Sequence, residues 1–281
     1  MYEVKDKKVI LEHGSINKGI IAVASGKGGV GKSTVTVNLA TALAKLGYKV
    51  GIIDADVRGF SVPRILGVVD KPKAVSEKEI IPPEVRGIKA ISMGSFVGEN
   101  EPVIWRAPLL TGALEQFFKD IRWGKLDYML IDLPPGTGDM PLNIMQKVPH
   151  AETLVVTTPQ VTATKVAGRI GAMAEKMDHE ILGVVENMAY YRCEECGHKD
   201  YIFGKDGGKD LADFMGTELL GQLPLISEVR RRSDSGNPIV FDKPDSEISQ
   251  EFIKIAKIIA EREAGFDEEI EPLKLNMDVN K

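Results

Sequence analysis

A single doubly wound α/β domain, with a mostly parallel sheet and helices on both faces, is the fold class this sequence predicts. Three observations predict it. Short β-branched runs alternate with longer helical patterns along almost the whole chain. Those runs are nearly continuous in apolar residues, as strands buried on both faces require. A glycine-rich loop stands at the first strand-to-helix junction, with acidic residues at the ends of later strands, where open α/β sheets bind their ligands.

The strand runs are Ile20–Ala24, Val50–Asp54, Ile88–Met93, Tyr128–Asp132, Thr153–Thr157, Ile181–Glu186 and Glu218–Gln222. Helical patterns fall at Ser33–Leu46, Pro108–Phe118, Pro141–Lys147, Thr162–Met177 and Lys209–Phe214. No compositional break divides Lys18 from about Lys243 and no internal repeat is visible, so one domain is preferred to two. The expected organisation is an N-terminal extension over 1–17, the domain over 18–264 and a flexible acidic tail over 265–281. Within Ser246–Ala264, Ile248, Phe252, Ile255, Ile258 and Ile259 form one stripe, the pattern of an amphipathic helix packed on the domain.

Composition narrows the function. Apolar residues make up 43% and charged residues 27% of the 281, ordinary values for a globular protein able to bury a core. Lys and Arg number 36 against 41 Asp and Glu, a net charge of −5 that argues against sequence-independent nucleic-acid binding. Two cysteines exclude a disulfide framework. Apolar runs are too short to span a bilayer and the N-terminus lacks a signal-peptide core, so a cytoplasmic protein with no membrane association is expected.

Gly26-Lys27-Gly28-Gly29-Val30-Gly31-Lys32-Ser33 fits the phosphate-loop pattern G-x-x-x-x-G-K-S/T. Glycines let successive N–H groups wrap a phosphate, and the helix after the loop adds the positive end of its dipole. Lys32 is expected to reach the β- and γ-phosphates and the Ser33 hydroxyl to ligate Mg²⁺, with Thr34 completing the nucleotide cradle. Downstream, Asp54-Ala55-Asp56 closes one strand, and Asp132 closes another ahead of Leu133-Pro134-Pro135-Gly136-Thr137-Gly138-Asp139. Carboxylates so placed face the nucleotide: one can orient an attacking water and others can organise the Mg²⁺ shell. Gly136 and Gly138 allow that loop two backbone conformations, one for each nucleotide state. Asn187, at the end of the Ile181–Glu186 run, offers both a donor and an acceptor to a purine edge.

Both cysteines lie in Cys193-Glu194-Glu195-Cys196-Gly197. This C-x-x-C suits a metal, because the turn points two thiolates at one ion. Two thiolates complete neither a tetrahedral site nor a cubane, whereas two copies on a two-fold axis supply four. A structural zinc clamp with His198 as a further ligand, a redox pair and two unliganded thiols stay open beside the cluster reading.

The early lysine, Lys27, narrows the resemblance to the deviant phosphate loops K-G-G-x-G-K-S/T of the MinD, ParA, nitrogenase-iron-protein and arsenite-pump ATPases. There the corresponding lysine reaches across a homodimer to the other subunit's nucleotide, which implies a catalytic part for Lys27 and a homodimer here. The same resemblance implies that Asp56 orients the water with Asp54 in support, that Asn187 reads the base and that Pro224 lies against it. The chain further resembles the Mrp (ApbC) iron–sulfur cluster carriers. SGKGGVGKS (Ser25–Ser33), DADVRGFSVPRILG (Asp54–Gly67), VIWRAP (Val103–Pro108), WGKLDYMLIDLPPGTGD (Trp123–Asp139), ENMAYYRCEECG (Glu186–Gly197), YIFG (Tyr201–Gly204) and GQLPLISEVR (Gly221–Arg230) carry it, spanning about Lys18–Ala260. It implies ATP binding, slow ATP hydrolysis and a homodimer that bridges a 4Fe–4S cluster through Cys193 and Cys196 of both subunits and hands it to apo iron–sulfur proteins. Arg58, Phe60 and Ala107 depart from the tyrosine, proline and glycine frequent in that family and bear on the nucleotide switch. Two other functions are weighed. A MinD/ParA-like positioning ATPase would want a basic membrane-binding helix where this chain continues into GFDEEIEP. A nucleotide-switched dimer with a structural zinc would use the same four thiolates.

Overall fold

The computed structural model describes residues 9–56, 59–76, 78–96, 107–136, 138, 141, 148, 150–176, 179–193 and 195–263. Its elements in chain order are β1 (Val9–Leu11), β2 (Gly14–Ala24), α1 (Lys32–Lys45), β3 (Val50–Asp54), α2 (Ser61–Leu66), β4 (Lys73–Ser76), β5 (Glu79–Ile81), β6 (Glu84–Val85) and β7 (Ile88–Ser92). They continue with α3 (Ala107–Lys119), β8 (Gly124–Asp132), β9 (Ala151–Thr157), α4 (Val161–Lys176), β10 (Ile181–Arg192), β11 (Lys199–Asp200), α5 (Gly207–Met215), β12 (Leu219–Leu225), α6 (Ser227–Asp234), α7 (Ile239–Asp242) and α8 (Glu247–Glu263).

Successive side chains of a strand leave the sheet on opposite faces, and here both faces are dry. Ile21 and Val23 of β2 join an apolar cluster with Leu39 and Leu43 of α1 and Phe252 and Ile255 of α8. Ile20 and Ala22 join the opposite cluster, with Phe117 and Phe118 of α3, Ile170 of α4 and Leu211 of α5. Each strand therefore needs apolar residues at every position, which is the continuous pattern the sequence shows. The main sheet runs β11-β10-β9-β2-β8-β3-β7-β6, with β1 paired to β2 and β12 to β10. Pairing is parallel between β2 and β8, β2 and β9, β3 and β8, β3 and β7, β9 and β10, and β10 and β12. Antiparallel pairs are confined to β1 with β2, β10 with β11, β6 with β7 and the small separate hairpin β4–β5. The predicted doubly wound α/β fold is the observed one.

Differences from the sequence reading lie at element ends. β2 begins at Gly14 rather than Ile20, and residues 9–11 of the N-terminal extension pair with it. The extra length of β2 comes from the half-polar segment Gly14–Gly19, whose backbone pairs with β8 from Gly14↔Gly124 onward. β10 runs on past Glu186 to Arg192 because its far end finds partners in β12 and in β11. The helix expected at Ser246–Ala264 is α8, with Ile248, Phe252, Ile255 and Ile259 all buried. Residues 142–147 of the helix expected over Pro141–Lys147, the residues Arg58, Thr137 and Asp139, and the tail 265–281 lie outside the described residues.

Candidate functional site

The parallel strands β2, β3 and β8 end side by side, and their ends build the site. β2 passes into the glycine loop, which turns at Gly29 and Gly31, both with φ of +83°. Gly31 leads directly into α1, whose N-terminus receives no side-chain cap, so its leading N–H groups face the loop. Gly26 is pressed on α4: a Cβ there would stand 2.4 Å from the Ala167 backbone nitrogen. The Ser25 hydroxyl donates to the Lys27 carbonyl at 3.0 Å, and the Gly136 N–H donates to the Ser25 carbonyl at 2.8 Å. The loop after β8 is thereby tied to the phosphate loop.

Asp132 is the hub beneath. It is fully buried at the end of β8, and Lys32 Nζ lies 2.9 Å from its Oδ1. Ser33 Oγ donates to Oδ2 at 2.6 Å and Thr36 Oγ1 donates to Oδ1 at 2.7 Å. Asp54, fully buried at the end of β3, accepts from the N–H groups of Asp56 and Val62 and from the Ser92 hydroxyl. Burial, reinforced by the nearby Asp132 charge, pushes the Asp54 carboxyl up to about 8. Of the two strand-end acids, Asp54 is thereby the one pushed toward its protonated form. Asp56 is only half-buried and lines a cavity of about 230 Å³ together with Lys27, Gly28, Gly29, Gly31, Lys32, Ser33 and Thr34. A phosphate chain would sit among these groups.

A larger cavity of about 560 Å³ adjoins it, sharing Gly31, Thr34, Gly59, Ser61 and Ile65. Asn187, Met188, Pro224 and Leu225 wall it on one side, with Ile248 and Phe252 of α8 behind them. An apolar cleft with a few polar groups beside a phosphate cradle has the make-up of a base pocket. Asn187 stands at its edge, and its Nδ2 donates to the Val30 carbonyl at 2.8 Å. The structure places Lys27, Gly28, Gly29, Gly31, Lys32, Ser33, Thr34 and Asp56 around the smaller cavity and Asn187 and Pro224 around the larger one, with Gly26 and Val30 in the loop backbone and Asp54 and Asp132 at the strand ends beneath. It adds Thr36, the third donor on Asp132. Its signal was its place on α1, one helical turn after Lys32.

The cysteines lie elsewhere, at the tip of the β10–β11 hairpin. Cys193 N–H donates to the His198 carbonyl at 2.9 Å, and Gly197, with φ of +72°, returns its N–H to the Cys193 carbonyl at 2.9 Å. The turn leaves Cys196 exposed and Cys193 half-buried, without a disulfide. Arg192 holds the hairpin base through Glu247 of α8 at 2.6 Å. Among the described residues no three His, Cys, Asp or Glu side chains gather as a metal-binding group, so His198 does not complete a three-ligand site with the cysteines in one chain.

The family model of the NUBPL iron-transfer P-loop NTPases matches residues 16–260. The chain belongs to this family. Among its relatives, the iron-sulfur cluster carrier protein of Bacillus subtilis is 50% identical over 236 residues, which are 83% of this chain and 66% of that one. The carrier of the same name from Mycobacterium leprae is 47% identical over 87% of this chain and 65% of its own length. The chain therefore spans just under two thirds of the length of these two relatives. Among solved structures, a nucleotide-binding protein from Archaeoglobus fulgidus in complex with ADP superposes with a TM-score of 0.70 at 39% identity, covering 82% of this chain and 90% of that one. The cell division ATPase MinD of Pyrococcus furiosus superposes at 0.67 with 26% identity, covering 87% of this chain and 99% of that one. The chain thus has the MinD-like fold that its deviant phosphate loop implied. No helix among its described residues is long and apolar enough to cross a membrane.

Proposed function

We propose that this chain is an ATP-binding iron–sulfur cluster carrier. Two copies would hold a 4Fe–4S cluster between their Cys193 and Cys196 thiolates and pass it to apo iron–sulfur proteins, with slow ATP hydrolysis setting the dimer geometry. The observation that carries this reading is that the glycine loop and a C-x-x-C tip with one exposed and one half-buried cysteine both meet strand β10, the loop through Asn187 and the tip at the strand's end. Each chain offers two cysteines, and a cubane takes four ligands, so the cargo calls for a second copy. The cluster-carrier names of the relatives agree with this cargo.

In the ATPase half, Lys32 would neutralise the β- and γ-phosphates and Lys27 would reach the partner's nucleotide. Asp56, at the rim of the phosphate cavity, would orient the attacking water. The oxygen donors around Asp132 and Ser33 fit a hard divalent cation. Mg²⁺ there would be held by Ser33 and, through its water shell, by Asp132 and Asp54, and would offset charge on the transferring phosphate. Asn187 and Pro224 would flank adenine.

The test is an iron, zinc and acid-labile sulfide count per dimer after anaerobic reconstitution, run beside a Cys193→Ser/Cys196→Ser double variant. About four irons and four sulfides, absent from the variant, is the expected result. One tightly held zinc without sulfide uptake would overturn the cargo and leave an ATP-switched dimer with a structural clamp.

A further inference from the structure

The nucleotide cavity and the cysteine tip are joined within one subunit, and the joint has a specific construction. Asn187 donates its amide to the Val30 carbonyl of the phosphate loop at 2.8 Å. The loop is seated against that amide so closely that a Cβ on Gly31 would stand 2.3 Å from Asn187 Nδ2. The next residue, Met188, takes a left-handed φ of +56°, an unusual conformation for a residue with a long side chain. Beyond it the register against β12 breaks. Asn187 pairs with Leu223 and Tyr191 with Leu225, so four steps along β10 match two along β12. Such a bulge re-aims the chain beyond it, and bulges gather beside functional sites. The re-aimed chain leads to Cys193, six residues after Asn187 and at most roughly 20 Å away along an extended strand.

A second connection runs in parallel. Ile248 and Phe252 of α8 wall the same cavity, and Glu247 at the start of α8 grips the hairpin through Arg192 at 2.6 Å and the Tyr190 hydroxyl at 3.4 Å. Both connections start at the cavity wall and end at the base of the cysteine tip.

We propose that Asn187 is a positioning residue which, with the Met188 bulge, transmits nucleotide occupancy from the phosphate loop to the Cys193–Cys196 tip of the same subunit. The proposal rests on the nucleotide reading of the cavity and adds to it a route that does not pass through the dimer interface. Asn187 touches the phosphate loop and not the cargo, so its effect on the thiols is exerted through β10. A ligand that shifts the loop shifts the Val30 carbonyl, and Asn187 carries that displacement into the strand.

The test uses the full chain with its thiols reduced. The rates of maleimide modification of Cys193 and Cys196 are followed by mass spectrometry with and without saturating Mg-ADP. Protein concentration is kept where sedimentation gives one unchanged species. ADP affinity is measured separately by calorimetry. In the native chain Mg-ADP is expected to change the thiol rate by about fivefold or more, the lower end of ordinary site-to-site coupling. In Asn187→Ala, whose ADP affinity is expected to fall because Asn187 also lines the base pocket, the change should vanish at an ADP concentration that calorimetry shows to saturate the variant. Met188→Gly, which keeps the amide but relaxes the bulge, should also blunt the response. Thiol rates insensitive to bound Mg-ADP in the native chain, or a native-like response in both variants, would overturn the coupling and leave the nucleotide site standing. Failure of Mg-ADP to bind the native chain at all would overturn the nucleotide reading and the coupling with it.

Discussion

Replacing Asp132 by asparagine strikes the hub on which Lys32, Ser33 and Thr36 converge, and the outcome depends on a second acid. Lys32 is 6% exposed and lies 2.9 Å from Asp132, so losing the carboxylate leaves a buried ammonium without its partner. Breaking such a pair costs about 3–5 kcal/mol. Asparagine keeps one acceptor for the two hydroxyls at 2.6 and 2.7 Å, which limits the further loss. Asp54 then changes the account. Its proton is held in part by the Asp132 charge, and Lys32 already pulls the other way. Once Asp132 is neutral, Asp54 can ionise and face Lys32 in its place, so the single variant should lose about 3 kcal/mol, the lower end of that range. At a urea slope of about 3 kcal/mol per molar this moves the midpoint down by about 1 M. Asp54→Asn alone should be nearly neutral near pH 4 and stabilising at pH 7, since Asp54 is protonated in the folded chain but ionised in the unfolded one, and the amide removes the cost of taking up that proton on folding. In the Asp132→Asn background the same change removes the substitute anion. The two effects should then exceed their sum by at least about 1 kcal/mol, a coupling within the range found for residues in one network. Urea titrations followed by far-UV circular dichroism measure all four corners of the cycle. Additivity within about 0.5 kcal/mol would refute the idea that Asp54 replaces Asp132 opposite Lys32.

Three further outcomes rest on the same geometry. Asp54 has a folded pKa of about 8 against 3.8 ordinarily, so its contribution is complete below 3.8 and is lost as pH rises toward 8. Asp54→Asn should therefore gain on the native chain by up to about 1.4 kcal/mol per pH unit across that window, and a flat difference between pH 5 and 8 would contradict it. Gly31→Ala puts a side chain at φ of +83° with its Cβ 2.3 Å from Asn187 Nδ2. It should cost about 1–2 kcal/mol from the backbone alone and weaken ADP binding, read by thermal unfolding and calorimetry. Glu186, 1% exposed, accepts from the Gly208 N–H and, at 2.8 Å, from Gln222 Nε2. Glu186→Ala orphans both donors and should cost about 2–4 kcal/mol in denaturant titration, with Glu186→Gln recovering part of it.

Much of the site was legible because its chemistry is local in sequence. The phosphate loop needs glycines, a lysine and a hydroxyl at fixed spacing, and a strand before and a helix after it are enough to place them. Asp54 and Asp132 could be read as strand-end acids because both faces of their strands are buried, which makes the apolar run continuous and its end conspicuous. The cysteine pair announced itself by spacing and by the lack of any other cysteine. Asn187 was legible as an amide at the end of the Ile181–Glu186 run, whereas family resemblance supplied Pro224.

Other features needed the fold. That the Asp132 charge helps to raise Asp54 depends on adjacent strands bringing Asp54 opposite Asp132 across 78 residues of sequence. Thr36 was an ordinary helix residue until β8 placed Asp132 beneath it. The local pattern does not carry β10 past Asn187, because that amide interrupts the apolar run and the segment Met188–Arg192 beyond it is held by β12, by β11 and by Glu247 of α8. Periodicity and motif spacing record what each segment requires of its own neighbours. Burial, the pull of one acid on another's proton and the packing of Asn187 on the phosphate loop are set by segments far apart in the chain, and they exist once the sheet has brought those segments together.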